Sequence, residues 1–281
     1  MKIGFIGLGL IGGSVAKAIR KYHEDYTIIA YDIYGKVLDE ALKDGTINDG
    51  CYEIDSRFDD CDYIFLCAPV NDNEDNLSEI VKHVSAECIL TDVGSVKGNI
   101  HKALTDINFT GTFIGGHPMA GSEKYGYEFS SAELINGAYY ILTPGINATD
   151  EKINNYSELI DSIGCKVTVL SPTLHDKATG VISHIPHVIS SSLVHFLMNH
   201  DDENQHMKVL AAGGFRDITR TASSSVKMWE DICIANNDVI CDLLDDYIKE
   251  LEDIKSTIAS KDKAEIARFF SEAKQYRDFL Y

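Results

Sequence analysis

The sequence predicts an α/β fold, a doubly wound parallel sheet followed by a domain built of helices alone. Three observations predict it. The apolar run Lys2 to Ile6 leads directly into the loop Gly7-Leu8-Gly9-Leu10-Ile11-Gly12 and then into the helix-like stretch 14–19. Short apolar runs then alternate with amphipathic stretches as far as Leu170, the pattern of strand-helix-strand units. From Ser171 onward strand signals cease and long 3.6-residue periods take over.

A G-x-G-x-x-G pattern is weak by itself, but here strand, loop and helix occur in the order a dinucleotide needs. Gly7 would make the tight turn, Gly9 would let a pyrophosphate lie against backbone, and Gly12 would let helix and strand pack closely. Gly7, Gly9, Leu10, Ile11 and Gly12 thus form the expected Rossmann-type cofactor loop, with the anion on the helix N-terminus. The second strand, Thr27 to Tyr31, ends in Asp32, about twenty residues past the last glycine, where a carboxylate binds ribose hydroxyls. Residues 33–35 carry no Arg or Lys to pair a 2′-phosphate, so NAD is expected rather than NADP.

The alternation continues with a helix at 36–43, a strand at 62–67, a helix at 75–83 and a strand at 88–92. Ligands of such sheets lie outside the carboxyl ends of the strands, so Ala68 and Pro69 in one loop and Gly94 in the next should border the cofactor. Residues 112–114 read as a strand and 115–126 as a glycine-rich loop carrying His117. Strands at 137–142 and 166–170 flank a helix at 151–163. Helices follow at 173–198, 203–212, 226–256 and 263–281. Two domains are expected, residues 1–170 for the dinucleotide and 171–281 for substrate and dimerisation.

Composition narrows the function. A formal net charge of −19 over 281 residues disfavours nucleic acid as a partner. No apolar run near the length of a membrane span was read, nor a targeting leader, so a cytoplasmic protein is expected. Seven cysteines without a C-x-x-C fit unpaired thiols in a reducing compartment. No metal-ligand cluster stands out.

Four stretches carry chemistry. Asp92-Val93-Gly94-Ser95-Val96-Lys97 places a serine after a strand, where it could also cap the next helix. Gly115-Gly116-His117-Pro118-Met119-Ala120-Gly121 sets one histidine among glycines, which bring backbone close to a ligand. Ser183-His184-Ile185-Pro186-His187 puts two histidines around a proline expected to bend its helix. Gly213-Gly214-Phe215-Arg216-Asp217-Ile218-Thr219-Arg220 spaces two arginines four apart, on one face if helical, a carboxylate receptor in an acidic chain. Trp229 follows and could wall the site.

Taken in this order, the D-x-G-S-x-K, G-H-P-x-x-G and S-H-x-P-H stretches resemble those of the prephenate and arogenate dehydrogenases. The likeness runs from the glycine loop past Trp229. It implies that His117 is the catalytic base and that Ser95 touches both it and the substrate hydroxyl. It also implies that Arg220 binds a substrate carboxylate, His187 lies near the side chain, and Glu123 stands at the pocket entrance. The reaction implied is NAD-dependent oxidative decarboxylation of prephenate to 4-hydroxyphenylpyruvate in tyrosine biosynthesis; an arogenate dehydrogenase is the alternative. His187 as hydrogen-bond donor to a side-chain ketone favours prephenate. The resemblance also implies a homodimer through the helical domain, where Arg216 could reach the neighbouring site. Many members of the family append a regulatory domain at one end; the chain is expected to depart from them, its helical domain using the sequence as far as Tyr281. A β-hydroxyacid dehydrogenase would need a catalytic lysine in the second domain, and residues 179–184 supply none.

Overall fold

The computed structural model describes residues 1–68, 76–122 and 124–280. The chain divides into two compact units, Met1–Asn236 and Asn237–Tyr281. The first holds an eight-stranded sheet in the order β3-β2-β1-β4-β5-β6-β7-β8. Its strands are β1 Lys2–Ile6, β2 Thr27–Tyr31, β3 Asp49–Cys51, β4 Tyr63–Leu66, β5 Ile89–Asp92, β6 Thr112–Pro118, β7 Tyr139–Pro144 and β8 Lys166–Val169. Every residue of β4 and β5 is buried, as strands covered on both faces must be.

The helices of the sheet region are α1 Leu10–Tyr22, α2 Gly35–Lys43, α3 at 76–80, α4 Gly98–Asp106 and α5 Asp150–Ser162. Val15, Ala16, Ala18 and Ile19 of α1 are buried against strand residues that include Phe5 and Phe65, whose rings stack at 5.0 Å. The Thr149 hydroxyl caps α5, with Asp150 and Glu151 in its first turn favouring the positive end of the helix dipole.

The sheet departs from the expected pattern in two places. β3 was not foreseen; three residues at the sheet edge are too short for a hydrophobic period. β7 runs antiparallel to β6 while β8 is parallel to β7. A parallel return needs a crossover helix, and between β6 and β7 the described residues form only two 3-10 turns, Tyr127–Phe129 and Ala132–Leu134; α5 supplies that crossover between β7 and β8.

The long helices are also more broken than expected. The segment 173–198 is α6 Pro172–Thr179, a π turn Gly180–His184 and α7 Ile185–His200. Pro186 has no N–H and its ring crowds the preceding turn, so the helix widens just before it, as helices often do at functional sites. Only α8 His206–Leu210 forms within 203–212, after Gln205 takes a left-handed conformation with φ 56°. α9 Gly213–Ile218 stops before Arg220, which opens a 3-10 turn ending at Ser223. Arg216 and Arg220 therefore do not share one helix face, because Thr219 leaves the helical region between them. The stretch 226–256 splits at Asn236 into α10 Val226–Ala235 and α11 Asn237–Ser260. In the second unit α11 packs on α12 Lys263–Leu280.

Among the described residues one helical stretch, Pro172–His200, is long and apolar enough by length and composition to cross a membrane, against the expectation of no such run. Its first turns hold the buried residues His175 and Asp176, tied to the sheet region. At the carboxyl ends of β5 and β6, fully buried Lys97 forms an ion pair with Asp92 and donates to the Gly116 carbonyl at 2.7 Å. Asp92 also accepts from the amides of Gly94 and Gly116 at 2.9 and 3.1 Å. Lys97→Met keeps the volume but strands a buried carboxylate, and we expect a loss of about 3–5 kcal/mol of stability, read from urea unfolding.

Candidate active site

Gly7 has φ +96°, and a Cβ there would meet Ala68 N at 3.0 Å, so the loop after β4 lies directly against the glycine turn. A Cβ on Gly12 would meet Gly7 O at 2.6 Å and Cys67 Cβ at 2.7 Å, which is close helix-strand packing. A Cβ on Gly9 would meet nothing within 4 Å. Gly9 is also the N-cap of α1, with no side chain capping that helix and no acidic residue in its first turn. The N-terminus bearing Leu10 and Ile11 is thus open to an anion. The carboxylate of buried Asp32 accepts from the amides of Leu8 and Tyr34, both at 2.8 Å, and braces the loop from the end of β2. β1 stands between β2 and β4, the point where strand order reverses. These residues fit a dinucleotide. Pro69 and Glu123 lie outside the described residues.

His117 is not in a loop but on β6, paired in register with Ile141 of β7. The glycines before it serve packing: a Cβ on Gly116 would meet Asp92 O at 2.6 Å. β6 runs parallel to β5, so His117 emerges at the sheet end where the Gly7, Ala68 and Gly94 loops also lie. Its Nδ1 is 2.8 Å from His175 Nε2, and His175 Nδ1 is 2.8 Å from Asp176 Oδ1. Burial, with Lys97, His175 and His184 adding to it, holds the His117 imidazole well below the usual histidine range. The ring is neutral near pH 7.

The contact to His117 Nδ1 comes from His175, and no side chain of its own segment, Ser95 included, caps α4. That helix starts at Gly98, and the Asp176 carboxylate, delivered by α6, accepts from the amides of Lys97 and Gly98, both at 2.7 Å. Burial raises the Asp176 carboxyl, but the bonds from His175 and the two amides outweigh it and hold the group below the usual carboxylate range. No role for the His175-Asp176 pair follows from the sequence alone. Two adjacent polar residues at a helix start, after the Ser171-Pro172 cap, were the available signal.

A second chain of contacts leads away from Asp176. Asn236 Nδ2 donates to the Asp176 carbonyl at 3.1 Å and to His184 Nδ1 at 3.0 Å. His184 meets the Trp229 ring edge-on, and His187 stacks on Trp229 with centroids 3.9 Å apart. His187 Nδ1–H donates to the Ser183 carbonyl at 2.8 Å. Burial lowers the His187 pKa, the bond to Ser183 opposes this, and the Arg220 guanidinium lowers it further. The neutral ring therefore presents an acceptor at Nε2, not the donor expected of it. Arg216 is exposed on α9, and Gly213 opens that helix with space around it. No cluster of three metal-ligating side chains occurs among the described residues.

Family models match along the chain: the prephenate dehydrogenase nucleotide-binding domain over residues 15–169 and the prephenate dehydrogenase dimerization domain over 171–272. The chain belongs to the prephenate dehydrogenase family. It is 39% identical to the prephenate dehydrogenase of Bacillus subtilis over 278 residues, 98% of this chain and 74% of that one. The crystal structure of prephenate dehydrogenase from A. aeolicus in complex with hydroxyphenyl propionate and NAD+ superimposes with a TM-score of 0.93 at 31% identity, covering 100% of this chain and 98% of that one. The Synechocystis arogenate dehydrogenase gives 0.90 at 28% identity, covering both chains completely.

The buried histidines make acid a destabilising condition. Burial pushes His101 and His184 down to about 4, each against partial opposition from nearby carboxylates, while His117 is lowered too. A histidine depressed in the folded state binds more protons when unfolded. Its stabilisation is complete above the unfolded value of about 6.5 and is lost as pH falls toward 4. The denaturation midpoint should fall steadily between pH 7 and pH 4.5 at constant salt; a flat profile across that window would contradict this assignment.

Proposed function

We propose that this chain oxidises prephenate with NAD, releasing carbon dioxide and 4-hydroxyphenylpyruvate, a step of tyrosine biosynthesis. The observation that carries the reading is a neutral imidazole, His117, fixed on a strand end beside a loop shaped for a dinucleotide. NAD, when bound, supplies the hydride acceptor. His117 Nε2 takes the proton of the substrate hydroxyl as hydride leaves the same carbon. The ring carboxylate then departs as carbon dioxide, its bonding electrons enter the ring, which becomes aromatic as the carbonyl pair moves onto oxygen, and that oxygen takes the proton back from His117. Arg220 binds a substrate carboxylate by a charge-assisted bond, and Ser95 lies in the loop after β5 to meet the hydroxyl. Trp229 and His187 wall the side-chain end. The relative from A. aeolicus, named as binding NAD+ and a hydroxyphenyl acid, supports the cofactor and the shape of the substrate.

Residues 1–170 are read as the nucleotide domain and 171–281 as the substrate and dimerisation domain. A homodimer is supported by the family description of the second region and by exposed apolar side chains there, among them Phe196, Met198, Val209, Leu210 and Val226. Arg216, exposed on α9, is then available to a neighbouring subunit. A cytoplasmic location agrees with seven unpaired cysteines.

The direct test is absorbance of reduced nicotinamide on mixing the protein with prephenate and NAD. NADP should serve far less well, because Asp32 repels a 2′-phosphate. His117→Asn should lower kcat about 10²- to 10⁴-fold and leave KM nearly unchanged. Arg220→Gln should act first on KM, by the roughly 1.5–3 kcal/mol of a charged hydrogen bond. Near-normal turnover by His117→Asn would remove it from the mechanism.

A second reading, use of arogenate as well, is favoured by the acceptor that His187 presents, since an ammonium group needs acceptors. We expect prephenate to remain the better substrate and His187→Gln to weaken arogenate at least as much as prephenate. A selective loss of prephenate turnover in that variant would mean that His187 donates after all.

A further inference from the structure

Outside the residues assigned above, His175 is the one fully buried imidazole in hydrogen-bond contact with His117. We propose that His175 and Asp176 are positioning residues that fix which nitrogen of His117 is free to take a proton. The proposal rests on the reading of His117 as the base and deepens it.

The argument follows donors and acceptors from one end of the chain. The Asp176 carboxylate receives two backbone N–H groups from the start of α4, with Lys97 N on Oδ1 and Gly98 N on Oδ2. An ionised carboxylate only accepts, so the contact at 2.8 Å makes His175 Nδ1 a donor. With a single ring proton, on Nδ1, His175 has its lone pair on Nε2. That atom lies 2.8 Å from His117 Nδ1 and must accept, so His117 carries its hydrogen on Nδ1. The lone pair of His117 is left on Nε2, and this nitrogen has no hydrogen-bond partner among the described residues. A base with its proton on the wrong nitrogen cannot act, which is why imidazole bases are held by a third group. When His117 Nε2 takes the substrate proton, the Nδ1–H bond to His175 persists, and the positive charge faces a ring backed by the Asp176 carboxylate. No atom of His175 needs to gain or lose a proton.

The groups around this chain are those the fold packs there. Lys97 and His184 add to the lowering of the His117 pKa, while Asp92 is engaged by Lys97. Thr179 Oγ1 donates to the His175 carbonyl at 3.0 Å and Asn236 to the Asp176 carbonyl at 3.1 Å, so both residues are also held by their backbones.

The test begins with the unsubstituted full chain. Ring ¹⁵N NMR at pH 7.5, with the His117 signals identified by their loss in His117→Asn, should show Nε2 unprotonated and Nδ1 protonated. The opposite pattern, or a rapidly averaged one, would overturn the proposal without any variant of His175. His175→Leu should then average the two nitrogens and lower kcat about 10²-fold or more, with KM for prephenate changed less than about threefold. His175→Gln, which can return an acceptor to Nδ1, should recover part of the loss. NAD binding, read by fluorescence, should be unaltered in both. Full activity in His175→Leu alongside a dead His117→Asn would sink the positioning role alone, whereas an active His117→Asn would remove the base reading itself.

Discussion

The site depends on one buried carboxylate. Asp176 leaves α6 to accept the first free amides of α4, and in the same geometry it accepts from the neighbouring His175 ring. Free amides at a helix start need partners, and a carboxylate at the positive end of a helix dipole is stabilised there. Capping α4 with a residue from elsewhere in the chain joins the sheet region to α6 at the point where His117 leaves the sheet. A side chain that merely filled space would leave the two amides and the histidine unsatisfied.

Lys97 and Asp92 hold together the ends of β5 and β6, the first by bonding to the Gly116 carbonyl and the second by bonding to the Gly116 amide. His117 is the next residue on β6. A side chain carried on a strand gripped from both sides, and paired in register with β7, is held more narrowly than one in a free loop. Burial also keeps its imidazole neutral, the form a base must have near pH 7.

At the other side of Asp176, Asn236, His184, Trp229 and His187 form a run of polar and stacked contacts toward Arg220. Orientation here is set by backbone. The Ser183 carbonyl fixes which His187 nitrogen carries hydrogen, and the π turn that presents this region is a consequence of Pro186 two residues after it. A histidine that looks interchangeable in sequence thereby becomes an acceptor.

What the sequence determined by itself are features with local causes. Gly7, Gly9 and Gly12 follow a strand and open a helix, Asp32 ends the next strand, and the fold and family were legible from them and from the motif around His117. The positions of β1, α1, β2 and α5 likewise follow from short-range hydrophobic periods. Tertiary structure alone decided what depends on partners far apart in the chain. The antiparallel turn of β7 reflects a missing crossover helix, and the capping of α4 by Asp176 spans 78 residues. The bond from His117 to His175 spans 58, and no period or propensity registers such a pair. Arg216 and Arg220 look adjacent on a helical wheel, yet the helix ends between them because Thr219 leaves the helical region. Local sequence sets which residues are available, and the hydrogen-bond demands of buried groups, met only once the chain is folded, set which of them face one another.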